Sequence, residues 1–440
     1  MIINGEYNSE FKINKIKIDS RKIKNGDLFI AIKGKFKDGH NYINEAIEKG
    51  AAVVIVEEDI SFVNTITIKV NDTKKALLAL ATLIRNKNIN IPLIAITGSV
   101  GKTTTKELMY EILSSSYNVL KNEGNLNNHL GLPMTLLGYN NEDVIITEIG
   151  MNHTGEVNNL SNCCKPDISI ITNIGSSHIG NLGSKKNILK AKLEIIEGMN
   201  EGVLILNGDD RLLKKINYIN TNHIDVLKIG TKGELDFKAY NIKTYFDKTK
   251  FEIDYAGNKY EFMFNIGGKH LLNNVLIAIY IGLLFDIDIQ KIKEVVNNFK
   301  PVKSRMNIIL KNNNLIIDDC YNSSYESLKG VLKQIQLNKK HKILIIGDIL
   351  ELGKFSKKIH KKIGKILKRI KDKEVYLIGD NISCIKSKKY NHFNNVDDFI
   401  KYSENIKFEN SLILLKASRS IGLDKVKEHL LNNVFNNVDF

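Results

Sequence analysis

Apolar positions in the first part of the chain follow two patterns, short continuous runs and longer segments with helical spacing. The runs DLFIAI and AAVVIV predict strands, whereas NYINEAIEKG and the more apolar TKKALLALATLIRNK predict helices. We therefore expect residues 1–85 to form a small α/β unit.

From Ile91 the chain alternates between strand and helix. The runs IPLIAIT, DVIITEIG, DISIITNI and GVLILNG predict strands, and helices are expected from Lys102, near Val157 and from Lys185. Such alternation indicates a largely parallel sheet with helices on both faces, in which ligands bind at the carboxyl ends of the strands. This second unit is expected to span residues 86–300.

The alternation resumes near Pro301. The runs NLIIDD, KILIIGD, EVYLIGD and SLILLKAS predict strands, with helices through Leu328, in a lysine-rich segment and after the last strand. Residues 301–440 are thus expected to form a third, Rossmann-like α/β domain. A chain of 440 residues is long enough for three domains of ordinary size.

The composition narrows the class of protein. With 43% hydrophobic and 26% charged residues, the chain is typical of soluble globular proteins rather than disordered or membrane proteins. Its longest apolar run, VLIAIYIGLLF, is shorter than the ~20 residues that span a bilayer. The first residues show no secretory signal, and the four cysteines form no disulfide framework, so we expect a cytoplasmic protein without membrane insertion.

The net charge of +15 favours an anionic partner, which could be nucleic acid, a membrane surface or a small polyanionic substrate. The densest basic segment, SKKIHKKIGKILKRIKDKE, has apolar residues at helical spacing. It is compatible with a solvated amphipathic helix or with a functional basic face.

The stretch IAITGSVGKTTTKE carries the clearest chemistry. Phosphate-binding loops usually have a glycine five residues before the Gly-Lys pair, but Ile96 stands there and the nearest upstream glycine is Gly98. The loop lies between a strand and a helix amino terminus, where backbone N–H groups and the helix dipole attract phosphate. The residues expected to bind ATP here are Gly98, Ser99, Gly101, Lys102, Thr103 and Thr104.

The side chains of this loop suit a nucleotide. Lys102 supplies a cation for the β and γ phosphates, and the Thr103 hydroxyl can ligate magnesium. An ordinary glycine turn is the alternative, but the Gly-Lys-Thr run at a strand-to-helix junction favours a nucleotide site.

The loop TGSVGKTTTKE resembles the ATP loop of the Mur ligases, which build the peptide of bacterial cell-wall precursors. The resemblance extends to Glu148 in TEIGMN, His178 in NIGSSHIG and Lys192 in AKLE. It implies two magnesium ions, held by Thr103, Glu148, His178 and a carbamate of Lys192 formed with carbon dioxide. It also implies that Lys102, Glu148, His178 and Lys192 are catalytic.

Each of these residues also has an ordinary interpretation. A lone glutamate at a strand end is often just polar, a lone histidine is more often structural, and a lone lysine is usually solvated. A carbamate would convert the Lys192 cation into a carboxylate-like oxygen ligand, which suits a hard metal ion.

The segment DSRKIKNGDLFIAIKGKFKDGH resembles the uridine-nucleotide segment of the same family. The runs GNLNNHLGLPMTLL and GDILELGKFSKKIH resemble signatures of the branch that joins D-alanyl-D-alanine to UDP-N-acetylmuramoyl-tripeptide. The substrate-binding residues that these resemblances and the late segment KASRSIGLDKV imply are Asp19, Ser20, Arg21, Lys33, Gly34, Asp38, Gly39, His40, Asn125, Asn127, Asn128, Tyr321, Asn322, Lys416, Ser418 and Arg419.

Further nucleotide contacts are implied by GGKHLLNNVLIA and PVKSRM. By resemblance Asn274 faces adenine and Arg305 reaches the ATP phosphates, with Asp319 also on the ATP side. Two departures stand out. Leu271 replaces a family asparagine, and in DDCYNSSYES the residues Ser324 and Tyr325 replace an asparagine and a proline, which leaves the loop shape open.

The resemblance implies ATP-dependent amide-bond formation through an acyl phosphate, by a monomer that binds no nucleic acid. Two alternatives stay open. One is the family member that adds the third-position diamino acid to UDP-N-acetylmuramoyl-dipeptide. The other is a nucleic-acid-stimulated ATPase, suggested by the charge of +15 but supported by no nucleic-acid-binding motif.

Overall fold

Three β-sheets, each flanked by helices, follow one another along the chain. The computed structural model describes residues 2–3, 13–63, 65–217, 223–404 and 406–435. The α/β class with an amino-terminal, a central and a carboxy-terminal domain is confirmed.

The first sheet has five strands in the order β1-β5-β4-β3-β2, parallel except for β1. Its strands are β1 (Ile2–Ile3), β2 (Ile16–Lys17), β3 (Leu28–Ile30), β4 (Val53–Val56) and β5 (Ile66–Lys69). Helix α1 (Ile43–Glu48) and helix α2 (Thr73–Lys87) accompany this sheet. The continuous apolar runs of β3 and β4 are buried, as strands covered on both faces should be.

Helix α2 leads from the first sheet to the second. The Asp72 side chain caps its amino terminus by accepting hydrogen bonds from the backbone N–H groups of Lys74 and Lys75. Near its other end, the buried Arg85 side chain donates to the carbonyl oxygens of Cys164 and Ile91, at 2.6 and 2.7 Å. Arg85 also lies 3.1 Å from Asp167, so this helix is fixed to the central sheet.

The central sheet has nine strands in the order β14-β13-β12-β11-β10-β9-β6-β8-β7. They are β6 (Leu93–Thr97), β7 (Val119–Lys121), β8 (Val144–Glu148), β9 (Ile168–Ile171), β10 (Gly202–Asn207), β11 (Ile224–Gly230), β12 (Phe237–Thr244), β13 (Thr249–Tyr255) and β14 (Asn258–Phe264). Strands β6 to β12 pair in parallel, whereas β13 and β14 extend the sheet in antiparallel fashion.

Seven helices belong to the described part of the central domain. They are α3 (Lys102–Leu113), α4 (Gly131–Leu136), α5 (Glu156–Cys164), α6 (Ile179–Leu182), α7 (Lys185–Leu193), α8 (Leu272–Leu284) and α9 (Ile289–Asn298). Helix α8 is buried on nearly all sides, which explains why its sequence contains the longest apolar run.

The third sheet has six strands in the order β15-β16-β20-β17-β18-β19, with only the β15–β16 pair antiparallel. They are β15 (Asn307–Lys311), β16 (Asn314–Asp318), β17 (His341–Gly347), β18 (Lys373–Ile378), β19 (Tyr390–Phe393) and β20 (Ser411–Lys416). Its helices are α10 (Tyr325–Gln334), α11 (Ser356–Arg369), α12 (Val396–Ser403) and α13 (Leu423–His429).

The lysine-rich segment forms helix α11, whose apolar side packs inward through Ile359, Ile363 and Leu367. Its lysines lie on the opposite, exposed side. Among the described residues, no helix is long and apolar enough to cross a membrane.

Candidate active site

Three strand ends meet at one edge of the central sheet. Strand β6 lies between β8 and β9, and its Ile96 pairs with Glu148. The loop after β6, the Glu148 carboxylate and the loop after β9 are therefore neighbours, although they are far apart in sequence. In a parallel sheet this is the edge at which ligands bind.

The loop after β6 has the backbone that phosphate binding requires. Gly98 and Gly101 adopt φ angles of 152° and 88°, and helix α3 begins directly afterwards at Lys102. A Cβ atom on Gly98 would lie 1.9 Å from the Thr172 hydroxyl, so no side chain fits there. The Lys102 ammonium donates to the Gly98 carbonyl at 3.0 Å and thereby curls over the loop.

Glu148 is held in place by polar neighbours. Thr103 Oγ1 donates to Glu148 Oε2 at 2.7 Å, and Asn127 Nδ2 donates to Glu148 Oε1 at 2.8 Å. The Asn122 amide bonds to the Glu148 backbone on both sides, through N–H and carbonyl. The carboxylate is 3% exposed, so its orientation toward Thr103 is fixed by these bonds rather than by solvent.

Lys192 is buried on helix α7, with 2% of its surface exposed. Burial lowers its pKa well below the ordinary lysine value, the nearby Lys102 lowers it further, and Glu148 opposes the shift. Burial at this position thus disfavours the charged ammonium form.

Lys102 experiences a related environment. Burial lowers its pKa, Glu148 and Glu351 raise it, and Arg305 lowers it. Arg305 and Glu351 belong to the carboxy-terminal domain, so charges from two domains act on this one ammonium group.

His178 follows strand β9 with a φ angle of 59° and precedes helix α6. Its Nδ1 lies 2.7 Å from Glu351 Oε2 but off the line of a hydrogen bond. At the same junction the Gly180 N–H donates to the Glu351 carbonyl at 3.0 Å. His178 thus contacts the carboxy-terminal domain.

The predicted metal ligands include two neighbouring oxygen donors, Thr103 Oγ1 and Glu148 Oε2, of the kind that magnesium prefers. The described residues contain no group of three or more His, Cys, Asp and Glu side chains that could hold a metal ion. A complete ligand set would therefore need oxygens from phosphates, water or a modified Lys192. Lys192 is buried and lines the same cavity as Thr103 and Glu148, and its burial lowers its pKa.

The carboxyl ends of β16 and β20 contribute the opposite wall. Lys416 Nζ lies 2.6 Å from the Asp319 carboxylate, and both side chains are buried. Two guanidinium groups lie close to the Tyr321 ring, Arg305 at 4.1 Å and Arg419 at 4.9 Å from its centroid. Cationic groups are thus gathered and oriented on this side.

A cavity of about 690 Å³ separates these two walls. The predicted residues that line it are Ser99, Gly101, Lys102, Thr103, Thr104, Asn125, Asn127, Asn128, Glu148, His178, Lys192, Arg305, Asp319, Tyr321, Asn322 and Lys416. Gly98, Asn274, Ser418 and Arg419 do not line it. Asn274 instead packs beneath Gly101, where an added Cβ would lie 2.4 Å from the Asn274 amide nitrogen.

Comparisons with known proteins agree along the whole chain. The "Mur ligase family, catalytic domain" model matches residues 12–90, the "Mur ligase middle domain" model residues 96–282, and the "Mur ligase, glutamate ligase domain" model residues 304–419. A Bacillus subtilis protein named UDP-N-acetylmuramoyl-tripeptide–D-alanyl-D-alanine ligase is 33% identical, over 98% of this chain and 96% of that protein. The chain belongs to the Mur ligase family.

Solved structures of Mur ligases share the fold. MurF from Acinetobacter baumannii superposes with a TM-score of 0.89 at 29% identity, covering 96% of this chain and 94% of that one. The MurF ligase from Thermotoga maritima in complex with ADP superposes with a TM-score of 0.84 at 27% identity, covering 94% and 96%.

The amino-terminal residues predicted to bind the UDP-sugar form a separate cluster in this Mur ligase. His40 Nδ1 lies 2.6 Å from Asp38, and its Nε2 accepts the Glu57 backbone N–H. Asp19 and Arg21 form an ion pair that lowers the Asp19 pKa to about 2. Ser20 donates to Glu45 at 2.7 Å, Lys33 lies 3.9 Å from Asp38, and Gly34 and Gly39 occupy backbone turns beside them. None of the eight lines the central cavity.

Sequence reasoning missed several residues that line the cavity of this Mur ligase, above all Lys74 and Lys75. Both follow the Asp72 cap in the first turn of α2. Their sequence, a pair of lysines opening an amphipathic helix, is typical of a solvated turn. Only the packing of α2 against the central domain brings them to the cavity.

The departure from the family pattern after Tyr321 has a structural explanation. Ser324 caps helix α10, and together with Ser327 it forms a reciprocal capping box. Serine and asparagine are equally good caps, and proline at the first helical position is favourable but not required. The loop therefore ends in a well-defined helix start although Ser324 and Tyr325 replace an asparagine and a proline.

His360 gives the Mur ligase a testable pH response. Its buried Nε2 accepts the Ile349 N–H, and burial lowers its pKa below the ordinary histidine value. Because His360 takes up a proton at a lower pH in the folded chain than in the unfolded one, stability should fall as the pH drops below about 6.5. Thermal midpoints between pH 7.5 and 5.5 should depend less on pH in His360→Gln than in wild type. His153→Gln, a change at an exposed histidine, is the control. If the thermal midpoint depends on pH equally in all three proteins, His360 is not the source of the pH response.

Proposed function

We propose that this protein joins D-alanyl-D-alanine to UDP-N-acetylmuramoyl-tripeptide at the expense of ATP, in the synthesis of peptidoglycan precursors. The observation that carries the proposal is the phosphate-binding loop, which opens into the same cavity as basic residues of the carboxy-terminal domain. Relatives named for this activity support it, including those of Bacillus subtilis and of Escherichia coli, which is 29% identical over 98% of this chain.

The choice within the family rests on these relatives. The ligase that adds 2,6-diaminopimelate to UDP-N-acetylmuramoyl-L-alanyl-D-glutamate shares the fold, at 18% identity and a TM-score of 0.57. Identity at that level supports the fold alone. The alternative in which this chain adds the third residue is therefore not favoured.

In the proposed reaction the terminal carboxylate of the tripeptide attacks the γ-phosphorus of ATP, giving an acyl phosphate and ADP. The amine of D-alanyl-D-alanine then attacks the acyl carbon, the bond to phosphate breaks, and the amine loses a proton as the amide forms. Negative charge grows on the transferring phosphoryl group, and preorganised cations stabilise it most effectively where water is excluded.

Lys102 and Arg305 would supply that positive charge from opposite domains, Lys102 from the phosphate loop and Arg305 from the carboxy-terminal domain. Stacking on Tyr321 keeps the Arg305 guanidinium in place before substrate arrives. Lys416, held by Asp319 and by the Asn322 carbonyl at 3.0 Å, would orient the acceptor, and Ser418 and Arg419 would support it from behind the cavity lining.

Magnesium, when bound, would polarise the phosphate oxygens and offset their charge. Thr103 and Glu148 would hold one ion beside the phosphate loop. Glu148, His178 and Lys192 as a carbamate would hold the second. For His178 to reach an ion, its imidazole must exchange the present contact with Glu351 for the metal.

The amino-terminal cluster around Asp19, Arg21 and His40 would bind the UDP-sugar end of the long substrate. We place the domain boundaries near residues 85 and 300, where the chain passes between sheets. We further propose that the protein is a monomer, acts in the cytoplasm and binds no nucleic acid. The four cysteines are unpaired, as in cytoplasmic proteins, and the proposed substrates are small molecules.

The test is phosphate release from ATP by the purified protein with UDP-N-acetylmuramoyl-tripeptide, with and without D-alanyl-D-alanine. Release should require both, and single diamino acids with the UDP-muramoyl-dipeptide should not replace them. Activity with UDP-muramoyl-dipeptide and a single diamino acid would favour the ligase that adds the third residue instead. ATP hydrolysis that rises with added RNA or DNA would favour the nucleic-acid-stimulated ATPase.

A further inference from the structure

Glu326 lies in the first turn of helix α10 and reaches from the carboxy-terminal domain to the central one. Its Oε2 accepts hydrogen bonds from the Ser176 backbone N–H at 2.9 Å and from the Ser176 hydroxyl at 2.8 Å. Its Oε1 accepts from the Lys185 ammonium at 2.9 Å. Three donors of the central domain therefore converge on one carboxylate.

The loop that Glu326 contacts also supports the phosphate-binding loop. The Gly175 N–H donates to Ser99 Oγ at 2.8 Å, and the Ser177 hydroxyl donates to the Ser99 carbonyl at 3.1 Å. Gly175 is confined between the two, because an added Cβ would lie 2.9 Å from both Glu326 Oε2 and Ser99 Cβ. One residue thus separates Glu326 from the ATP loop.

Helix α10 connects Glu326 to the wall of the cavity that the carboxy-terminal domain forms. The helix starts directly after the segment with Tyr321 and Asn322, and the Ser324 cap fixes its first turn. Since Arg305 and Arg419 stack on Tyr321, the direction of α10 determines where these cations point. Anchoring Glu326 to Ser176 consequently sets their position relative to Lys102.

We propose that Glu326 is a positioning residue that docks the carboxy-terminal domain onto the loop behind the ATP site and so aligns the cations of the two domains. The inference rests on the proposed function in that the reaction needs groups from both walls. Glu326 does not itself line the cavity, and its side chain bonds to Ser176 and Lys185, neither of which lines it.

An isolated surface ion pair would contribute little, and the Lys185 side chain is 47% exposed. The hydrogen bonds to Ser176 should contribute more than this ion pair. Ser176 is 4% exposed, so its backbone N–H cannot bond to water instead. Charge-assisted hydrogen bonds of this kind are about twice as strong as neutral ones. Their loss should shift the docking equilibrium about tenfold.

The test compares Glu326→Ala, Glu326→Gln, Lys185→Met and the double variant Glu326→Ala with Lys185→Met. Lys333→Ala, an exposed change on the same helix, is the matched control. We expect Glu326→Ala to lower kcat about tenfold while ADP affinity and the thermal midpoint stay near wild type. Glu326→Gln keeps an acceptor oxygen and should lose less, and the double variant should be no worse than Glu326→Ala.

Unchanged kcat in Glu326→Ala would overturn the proposal. A fall in kcat accompanied by a clear fall in the thermal midpoint would also overturn it, because that result would indicate a purely structural role. X-ray scattering in the presence of ADP and magnesium measures the extension of the protein without the peptide substrates. In this measurement Glu326→Ala should be more extended than wild type. If wild type fails to release phosphate with both substrates, the proposed function fails, while the scattering comparison still decides the role of Glu326.

Discussion

Replacing Lys102 by methionine is expected to lower the rate of phosphate release by about 10²-fold or more at saturating ATP. The change removes the cation that would act on the transferring phosphoryl group in the proposed function but preserves side-chain length. Because burial lowers the pKa of Lys102, its charge is a cost to the folded state. The thermal midpoint of Lys102→Met should therefore stay equal or rise while activity is lost.

This opposite behaviour of rate and stability separates a catalytic role from a structural one. Lys102→Arg should retain part of the rate, since the charge remains but the geometry changes. Lys87→Ala, an exposed lysine at the end of α2, should leave both quantities unchanged. Near-normal turnover by Lys102→Met at saturating ATP would show that the loop does not act on phosphate.

Lys192→Ala is expected to abolish measurable ligase activity, and added formate or acetate should restore part of it. The alanine leaves space on α7 in which a small carboxylate can supply the missing oxygen ligand. As a bare ammonium, by contrast, Lys192 would repel magnesium. The exposed Lys190→Ala, two residues away on the same helix, should be nearly silent, because exposed substitutions usually change stability by less than ~0.5 kcal/mol.

A second measurement reports on the carbamate without reference to rate. Wild type equilibrated with ¹³C-bicarbonate should show a carbamate carbon resonance that is absent from Lys192→Ala and present in Lys190→Ala. A fully active Lys192→Ala would rule out the ligand role. An inactive variant whose parent shows no carbamate signal would leave Lys192 as a buried amine with another role.

Much of the architecture follows from local sequence pattern. Continuous apolar runs predicted the parallel strands β6, β8, β9 and β10, because strands buried on both faces must be apolar throughout. The turn between β6 and α3 was predictable for a similar reason, since its glycines and the Gly-Lys-Thr run act locally. In each case the signal lies within a few residues of its effect.

Other features depend on contacts between distant segments. Strands β12 to β14 alternate buried and exposed residues, which is a weaker signal than a continuous apolar run, and only the pairing of β12 with β11 joins them to the parallel sheet. Lys74 reaches the cavity only through the packing of α2. Glu326 follows a broken family pattern, and its partner Ser176 is contributed by another domain. Sequence alone gives neither residue a distinguishing mark.

The anchoring of Arg85 has a mechanical consequence. Its guanidinium is tied to backbone oxygens of the central domain, so the amino-terminal lobe and the phosphate loop share one rigid frame. Under the proposed function, a UDP-sugar bound by that lobe would be held at a fixed distance from the phosphate loop. The lobe that carries Arg305, Lys416 and Glu326 would then, under the same proposal, be the part that moves, about a hinge near residue 300.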